Sequence, residues 1–243
     1  MLKFFNDLIN FIFPAKCRTC NESLSTLEEK YICKECFSKI DFIRPPYCDK
    51  CGKVLVESFS EIEKPLCKEC QTIKRYFYKA RVVGVYEGIL RESIHIFKFE
   101  KKIGLHKPLG ELLVNYLKEQ QGDLIRQIDF IIPVPLHRKR LKSRGFNQAQ
   151  LLCCYIERHF NVPLNLDLKR IRFTPPQMNL KREERLQNIK GAFEIKNHNS
   201  IMGKSILLVD DIFTTGATVD ECSKVLINAG AKQVFVLTLA RGR

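Results

Sequence analysis

The sequence predicts an α/β fold in which helices flank a mostly parallel sheet, with a smaller cysteine-rich module in front of it. Two observations carry this prediction. After residue 80, short apolar runs such as residues 206–209 alternate with amphipathic stretches, which is typical of buried parallel strands and their covering helices. Before residue 80, eight of the 11 cysteines stand in four C-x-x-C pairs. We therefore expect two domains, at residues 1–78 and 79–243.

The N-terminal segment predicts a short amphipathic helix whose apolar face is formed by Phe5, Leu8, Ile9 and Ile12. Polar residues interrupt its apolar run and no small-residue cleavage pattern follows, so it does not match a signal peptide. The helix could pack on its own protein or meet a membrane or a partner. The sequence has no run of about 20 apolar residues, so we expect no transmembrane helix. We therefore expect a cytoplasmic protein.

The cysteine pairs predict two structural zinc sites. Two residues between thiolates let both sulfurs of a tight turn face one ion, and two such turns complete a tetrahedral shell. Both shells would be closed, without an open position for catalysis. A disulfide framework is disfavoured because no secretory signal precedes it. An interleaved arrangement stays open, but in sequential order the ligands are Cys17, Cys20, Cys33 and Cys36, then Cys48, Cys51, Cys67 and Cys70.

The remaining chain alternates between strands and helices. We predict strands at residues 81–86, 129–134, 206–210 and 234–239, and helices at residues 90–97, 109–119, 147–158 and 218–229. In parallel sheets, ligands bind at the carboxyl ends of the strands. The segments that follow the predicted strands are therefore the first candidates for a site.

A combination of acids and small residues follows the third predicted strand. Asp210 and Asp211 come first, and a loop at residues 214–218 then leads into a helix. Backbone N–H groups and threonine hydroxyls at a helix N-terminus can hold a phosphate monoester. Carboxylates can accept hydrogen bonds from vicinal hydroxyls and help to recruit Mg²⁺. A phosphate beside a diol describes a ribose 5-phosphate. Helix capping alone would not require both acids together with the small-residue loop.

The positive charge is concentrated in one part of the chain. The net charge is +14, and residues 137–190 carry 13 basic and 4 acidic residues. Such a surface fits either a nucleic-acid backbone or a phosphorylated small molecule. Gly203-Lys204-Ser205 is not a nucleotide-binding P-loop, because it precedes a strand and lacks the earlier glycine.

Residues 209–218 (VDDIFTTGAT) resemble the phosphoribosyl pyrophosphate (PRPP) binding motif of type I phosphoribosyltransferases. The wider pattern resembles the ComF family of competence-associated proteins, through residues 144–149 (RGFNQA), 174–177 (TPPQ), 191–193 (GAF) and 239–241 (LAR). The resemblance covers nearly the whole chain. It implies a type I phosphoribosyltransferase-like, mostly parallel sheet flanked by helices, preceded by a double zinc ribbon.

The resemblance also implies an activity, the Mg²⁺-dependent transfer of a 5-phosphoribosyl group from PRPP with release of pyrophosphate, in the setting of DNA uptake. It implies that Asp210 and Asp211 are catalytic residues that bind the ribose hydroxyls of PRPP. It implies that the 5-phosphate is bound by Thr214, Thr215, Gly216, Ala217 and Thr218. The pyrophosphate loop and a lid over residues 170–190 would involve Pro135, Leu136, Arg138, Arg144, Gln177 and Arg185.

The acceptor and the alternative function stay open. Purine-salvage enzymes carry an acid where Thr214 stands, which argues against that role. The alternative is a non-catalytic competence protein that handles single-stranded DNA, with PRPP as a regulatory ligand or not used at all. Proteins of the competence machinery would then be partners. Residues 76–78 (YFY) resemble a platform for stacking bases, although a hydrophobic hinge explains them equally well.

Overall fold

A four-stranded parallel sheet lies at the centre of the computed structural model, which describes residues 15–24, 31–56, 64–175 and 182–242. The strands are β1 (Lys79–Val85), β2 (Phe130–Pro133), β3 (Leu168–Arg170), β4 (Phe193–Ile195), β5 (Ser205–Phe213) and β6 (Gln233–Arg241). The strand order of the central sheet is β1-β6-β5-β2. A second, antiparallel pair joins β3 to β4. The prediction of a parallel sheet is confirmed, and β5 runs three residues further than predicted.

The helices cover both faces of this sheet. The helices are α1 (Lys34–Phe37), α2 (Lys68–Thr72), α3 (Gly88–Phe99), α4 (His106–Gln120), α5 (Gly122–Ile125), α6 (Arg138–Arg144), α7 (Gln148–Phe160), α8 (Arg182–Ile189) and α9 (Ala217–Asn228). The four predicted helices are confirmed as α3, α4, α7 and α9, with their ends moved by at most three residues. Within the described residues, none is long and apolar enough to cross a membrane.

The central strand β5 explains why the sheet needs helices on both sides. Its residues 206–209 are fully buried, and their side chains alternate between two apolar clusters. Leu207 and Val209 pack into the cluster that contains α3, α4 and α7. Ile206 and Leu208 pack into the cluster that contains α9 and the β3–β4 pair. A strand buried on both faces is an unbroken apolar run rather than an alternating one.

Several elements were not predicted: helices α1, α2, α5, α6 and α8 and strands β3 and β4. Helix α6 has no buried residue that could have marked an apolar face. It is bounded by local caps instead: the His137 side chain accepts the Lys139 N–H, and Gly145 ends the helix at φ 88°. Strands β3 and β4 have only three residues each, which is too short for a periodic signal.

The cysteine-rich segment before β1, which we call the front, packs against the edge strand β1. The Ala80 N–H donates to the Lys50 carbonyl at 2.8 Å, and the Ile43 N–H donates to the Val83 carbonyl at 2.9 Å. Of the YFY stretch, Phe77 is buried against Phe213, whereas its two tyrosine neighbours are exposed. The front therefore covers backbone groups that an open sheet edge would leave unpaired. The predicted N-terminal helix lies outside the described residues.

Candidate functional site

The eight predicted zinc ligands meet in two groups, in sequential rather than interleaved order. In each group the four sulfur atoms lie within 4.8 Å of one another. The Cys17 and Cys36 sulfurs are 3.8 Å apart, and the Cys51 and Cys67 sulfurs are 3.7 Å apart. Thiolates on a tetrahedral zinc ion, with Zn–S near 2.3 Å, lie about 3.8 Å apart. Both groups therefore fit structural zinc, with ligands Cys17, Cys20, Cys33 and Cys36, and Cys48, Cys51, Cys67 and Cys70.

A cavity of about 620 Å³ opens at the carboxyl ends of β2 and β5. The two strand ends are neighbours, because the Val134 N–H donates to the Val209 carbonyl at 2.9 Å. The structure brings most of the predicted site residues to this cavity. On its wall lie Pro135, Leu136, Arg144, Arg185, Asp210, Asp211, Thr214 and Thr218.

The acid pair lies at the end of β5. Asp211 is buried, and its carboxylate is 2.6 Å from the Lys98 ammonium. Asp210 is half-buried and accepts the Asp211 backbone N–H at 2.9 Å. Burial, together with the charge of Asp211, raises the pKa of Asp210 to about 7. One carboxylate is therefore fixed by a cation, while the other can gain or lose a proton near neutral pH.

The predicted phosphate loop, residues 214–218, forms a tight turn into the N-terminus of α9. Gly216 has φ 78° and is the N-cap of that helix. A Cβ atom at Gly216 would lie 2.6 Å from the Phe213 ring, so the loop backbone lies directly against the ring. Thr214 and Thr218 reach the cavity wall, and Thr215, Gly216 and Ala217 form the turn between them. The free N–H groups of a helix N-terminus attract anions.

Positive side chains dominate the rest of the wall. Six cations face the cavity together with the two carboxylates of the acid pair, and they are Lys98, Lys101, Arg140, Arg144, Arg170 and Arg185. Several cations that converge on one cleft focus a positive potential there. The cavity therefore suits a ligand with several negative charges.

Gln148 is a residue of this wall to which the sequence analysis assigned no role. It is 1% exposed, and its Oε1 accepts a 2.8 Å hydrogen bond from Arg144. Because a guanidinium can only donate, the amide nitrogen must point away from Arg144. That Nε2 atom is buried and has no hydrogen-bond acceptor among the described residues. The RGFNQA motif at residues 144–149 contains this pair and was the available signal.

Asn147 and Arg170 had no individual role in the sequence analysis, although Asn147 lies in the RGFNQA motif and Arg170 lies in the predicted lid segment. The Asn147 amide donates to the Val134 carbonyl at 3.1 Å, and its oxygen accepts the Ala149 N–H at 3.1 Å. It therefore caps α7 while holding the turn after β2. Arg170 lies on the short strand β3 and donates to the Thr174 hydroxyl at 2.5 Å.

Five predicted residues are not on the described cavity wall: Thr215, Gly216 and Ala217 form the turn beside it, and Arg138 and Gln177 are the other two. Arg138 is exposed on α6 and is absent from the described wall, where Arg140 and Arg144 stand instead. Residues four apart share a helix face, whereas residue 138 lies on the other side of α6. Gln177 lies outside the described residues.

Two family models match the chain. One is described as a double zinc ribbon domain and matches residues 8–72; the other is a phosphoribosyl transferase domain and matches residues 147–243. Competence protein F of Haemophilus influenzae is 33% identical over 239 residues, which is 96% of this chain and 100% of that protein. The chain belongs to the ComF family of competence proteins. The predicted phosphoribosyltransferase fold with a zinc-ribbon module is thereby confirmed.

Other ComF relatives extend along most of the chain. DNA utilization protein YhgH of Escherichia coli is 30% identical, covering 94% of this chain and 97% of that protein. Competence protein ComFC of Bacillus subtilis is 28% identical, covering 88% and 85%. Among solved structures, glutamine PRPP amidotransferase of B. subtilis aligns with a TM-score of 0.42 at 17% identity, covering 60% of this chain and 30% of that one.

Proposed function

We propose that this ComF protein binds PRPP with Mg²⁺ in the cavity and transfers its 5-phosphoribosyl group, releasing pyrophosphate. One observation carries the proposal: an acid pair, an anion-attracting helix N-terminus and a turn beside several cations line the same cavity. These three parts suit the hydroxyls, the 5-phosphate and the pyrophosphate of one PRPP molecule. The acceptor of the phosphoribosyl group is left open.

The acid pair would bind the ribose. In this proposal the carboxylates of Asp210 and Asp211 accept hydrogen bonds from the vicinal hydroxyls. The 2.6 Å ion pair with Lys98 holds the Asp211 carboxylate in one orientation. Because Lys98 and Asp211 are both largely buried, the pair resists competition from water. Mg²⁺ beside these carboxylates would neutralise part of the pyrophosphate charge.

The 5-phosphate would lie at the N-terminus of α9. In this proposal, backbone N–H groups of residues 214–218 and the hydroxyls of Thr214 and Thr218 donate to the phosphate oxygens. Gly216 allows the chain to take the left-handed turn that this approach needs.

The leaving pyrophosphate would lie beside Pro135 and Leu136. Negative charge grows on it as the anomeric C–O bond breaks, so fixed cations such as Arg140 and Arg144 favour the transition state over the ground state. The buried Gln148 Nε2 has no acceptor among the described residues and would donate to an oxygen of this group. The oxocarbenium-like sugar must be protected from water. Arg185 and Gln177 are the proposed lid residues for this purpose.

A pyrophosphate-release assay tests the transfer. Purified protein with Mg²⁺ and PRPP would be screened against candidate acceptors, with Asp210→Asn/Asp211→Asn as the matched control. We expect release that depends on one acceptor class and is absent in the control. Release that is equal in both proteins would refute the role of the acid pair.

A second candidate function is the handling of single-stranded DNA during uptake, with competence-machinery proteins as partners. The Lys139 ammonium lies 5.4 Å and the Arg140 guanidinium 5.9 Å from the centre of the half-exposed Phe173 ring. An aromatic ring among cations is typical of surfaces on which bases stack. The YhgH relatives are named DNA utilization proteins.

Variants at exposed residues of α6 can distinguish DNA binding from PRPP binding. Arg138 and Lys139 are exposed and are not part of the described cavity wall. Neutralising both should lower the slope of log affinity against log salt by roughly 0.7 for each DNA phosphate that the protein no longer neutralises. PRPP binding should stay unchanged. An unchanged slope would exclude this surface as the DNA site.

The domain division and the location are also proposals. We place the boundary near residue 78, between residues 1–78 and 79–243, although the two parts share both apolar clusters. We propose a cytoplasmic protein, because PRPP and reduced cysteines are both available there.

A further inference from the structure

Arg75 connects the second cysteine cluster (Cys48, Cys51, Cys67 and Cys70) to the phosphate loop. Its side chain is 3% exposed, and its Nη2 donates to the Thr215 carbonyl at 3.2 Å. The same nitrogen is 3.7 Å from Glu69, which lies on α2 between two of the cluster's cysteines. Its Nη1 is 3.9 Å from Asp220 on α9. One buried guanidinium therefore contacts the helix that carries Cys70, the loop and the helix that follows the loop.

A second connection between the cluster and the loop runs through Arg241 and the Phe213 ring. Arg241 donates to the carbonyl of the zinc ligand Cys51 at 2.6 Å, and its guanidinium carbon lies 4.5 Å from the centre of the Phe213 ring. Gly216 rests on that ring, where an added Cβ would come within 2.6 Å. The backbone of the second cluster is therefore packed, through two side chains, against the underside of the loop.

The hydrogen bond to Thr215 has a direct consequence for anion binding. A trans peptide is planar, so its N–H points opposite to its C=O. When Arg75 holds the Thr215 carbonyl on one side, the N–H of Gly216 is directed to the other side of the loop. Within the loop itself, the Ala217 N–H donates to the Thr215 hydroxyl at 3.3 Å, and the Asp220 N–H donates to the Gly216 carbonyl at 2.9 Å. Both bonds hold the next peptide, Gly216–Ala217, whereas the Thr215 carbonyl is held by Arg75.

We propose that Arg75 is a positioning residue that orients the phosphate loop, and that zinc in the second cluster keeps Arg75 in place. The identity of the loop's ligand, the 5-phosphate of a phosphoribosyl compound, rests on the proposed function. Loss of zinc from this cluster then loosens the loop, although no zinc ligand lies on the described cavity wall. Metal occupancy and phosphate-ester binding are coupled through this buried side chain.

Arg81 offers a matched control. It is also a buried arginine beside the second cluster, with a side chain 8% exposed. It donates to the Asp49 carbonyl at 2.9 Å and to the Asp49 carboxylate at 3.1 Å. The Nε atoms of both arginines are buried without an acceptor among the described residues. The hydrogen bonds of Arg81 end on Asp49 and Ala80 rather than on the phosphate loop.

The experiment compares Arg75→Met with Arg81→Met in the full chain, after metal analysis has shown the same zinc content. Hydrogen exchange of residues 213–220 is measured without ligand, and ribose 5-phosphate is titrated with Mg²⁺. Arg75→Met should speed exchange and weaken binding by about tenfold or more, the effect of losing one charge-assisted hydrogen bond. Arg81→Met should leave both within about twofold of wild type, which is smaller than the loss of any such bond.

Further variants keep the proposal open to refutation. If Arg75→Met does not fold, Glu69→Gln weakens the same connection at a partly exposed site, and it should also speed loop exchange. Cys70→Ser should speed loop exchange with Arg75 intact. Equal loop exchange in the two arginine variants, or no change in Cys70→Ser, would overturn the proposal. A wild-type protein that fails to bind ribose 5-phosphate and PRPP would instead refute the proposed function, and loop exchange would still test Arg75.

Discussion

Replacing Gly216 with alanine should both destabilise the protein and disable the phosphate loop. Gly216 has φ 78°, a conformation that costs an L-residue roughly 1–2 kcal/mol. The new Cβ would also lie 2.6 Å from the Phe213 ring. That ring is 1% exposed and lies between Phe77 and Arg241, so it has little room to move. Overpacking of this kind adds roughly 1–3 kcal/mol. The expected total is roughly 2–5 kcal/mol.

Gly203→Ala is the matched control for this variant. Gly203 has φ 71°, and an added Cβ would meet nothing within 4 Å. It should therefore lose only the roughly 1–2 kcal/mol of the left-handed backbone. Urea unfolding followed by circular dichroism measures both variants, and a ribose 5-phosphate titration measures the loop. Gly216→Ala should lose more stability than Gly203→Ala and bind at least tenfold more weakly, which is about 1.4 kcal/mol. Equal stability losses, or unchanged binding in Gly216→Ala, would refute the reasoning.

Three further predictions follow from the same structure. Metal analysis should find about two zinc ions per chain, one for each Cys₄ group; one or none would contradict the geometry of the sulfurs. Asp210 has its pKa raised to about 7 by burial, so the folded state keeps a proton that the unfolded chain releases near pH 4. Stability should therefore fall between pH 4 and about pH 7, and Asp210→Asn should flatten that fall in urea titrations; identical pH profiles would argue against it. Gln148→Leu should weaken pyrophosphate binding about tenfold and leave ribose 5-phosphate binding unchanged, whereas equal losses for both ligands would exclude a specific contact with pyrophosphate.

The features that could be predicted from the sequence are local in the chain. The zinc ligands are pairs two residues apart, and their sequential grouping agrees with the simplest prediction. The run at residues 206–209 predicts a central strand because burial on both faces leaves no polar position. The acid pair and the turn at Pro135 could be expected at one edge, since parallel strands end on the same side of a sheet.

The features that escaped prediction depend on tertiary contacts or on orientation. Arg75 and Thr215 are 140 residues apart in sequence, and no pattern connects them. Helix α6 has no buried residue that marks an apolar face, so the sequence did not predict the helix. Without the helix, it could not be predicted which of its cations face the cavity. For that reason the sequence favours Arg138 at the site, whereas Arg140 stands on the cavity wall.

Isothermal titration of PRPP with Mg²⁺ is the most direct test of the central claim, that the cavity at the ends of β2 and β5 binds PRPP through the acid pair. The wild-type protein, loaded with zinc, is compared with Asp210→Asn/Asp211→Asn. We predict saturable one-site binding by the wild type and at least tenfold weaker binding by the variant, since its neutral amide oxygens accept weaker hydrogen bonds from the ribose than ionised carboxylates do. Equal binding by the two proteins, or no binding by the wild type, would contradict the claim.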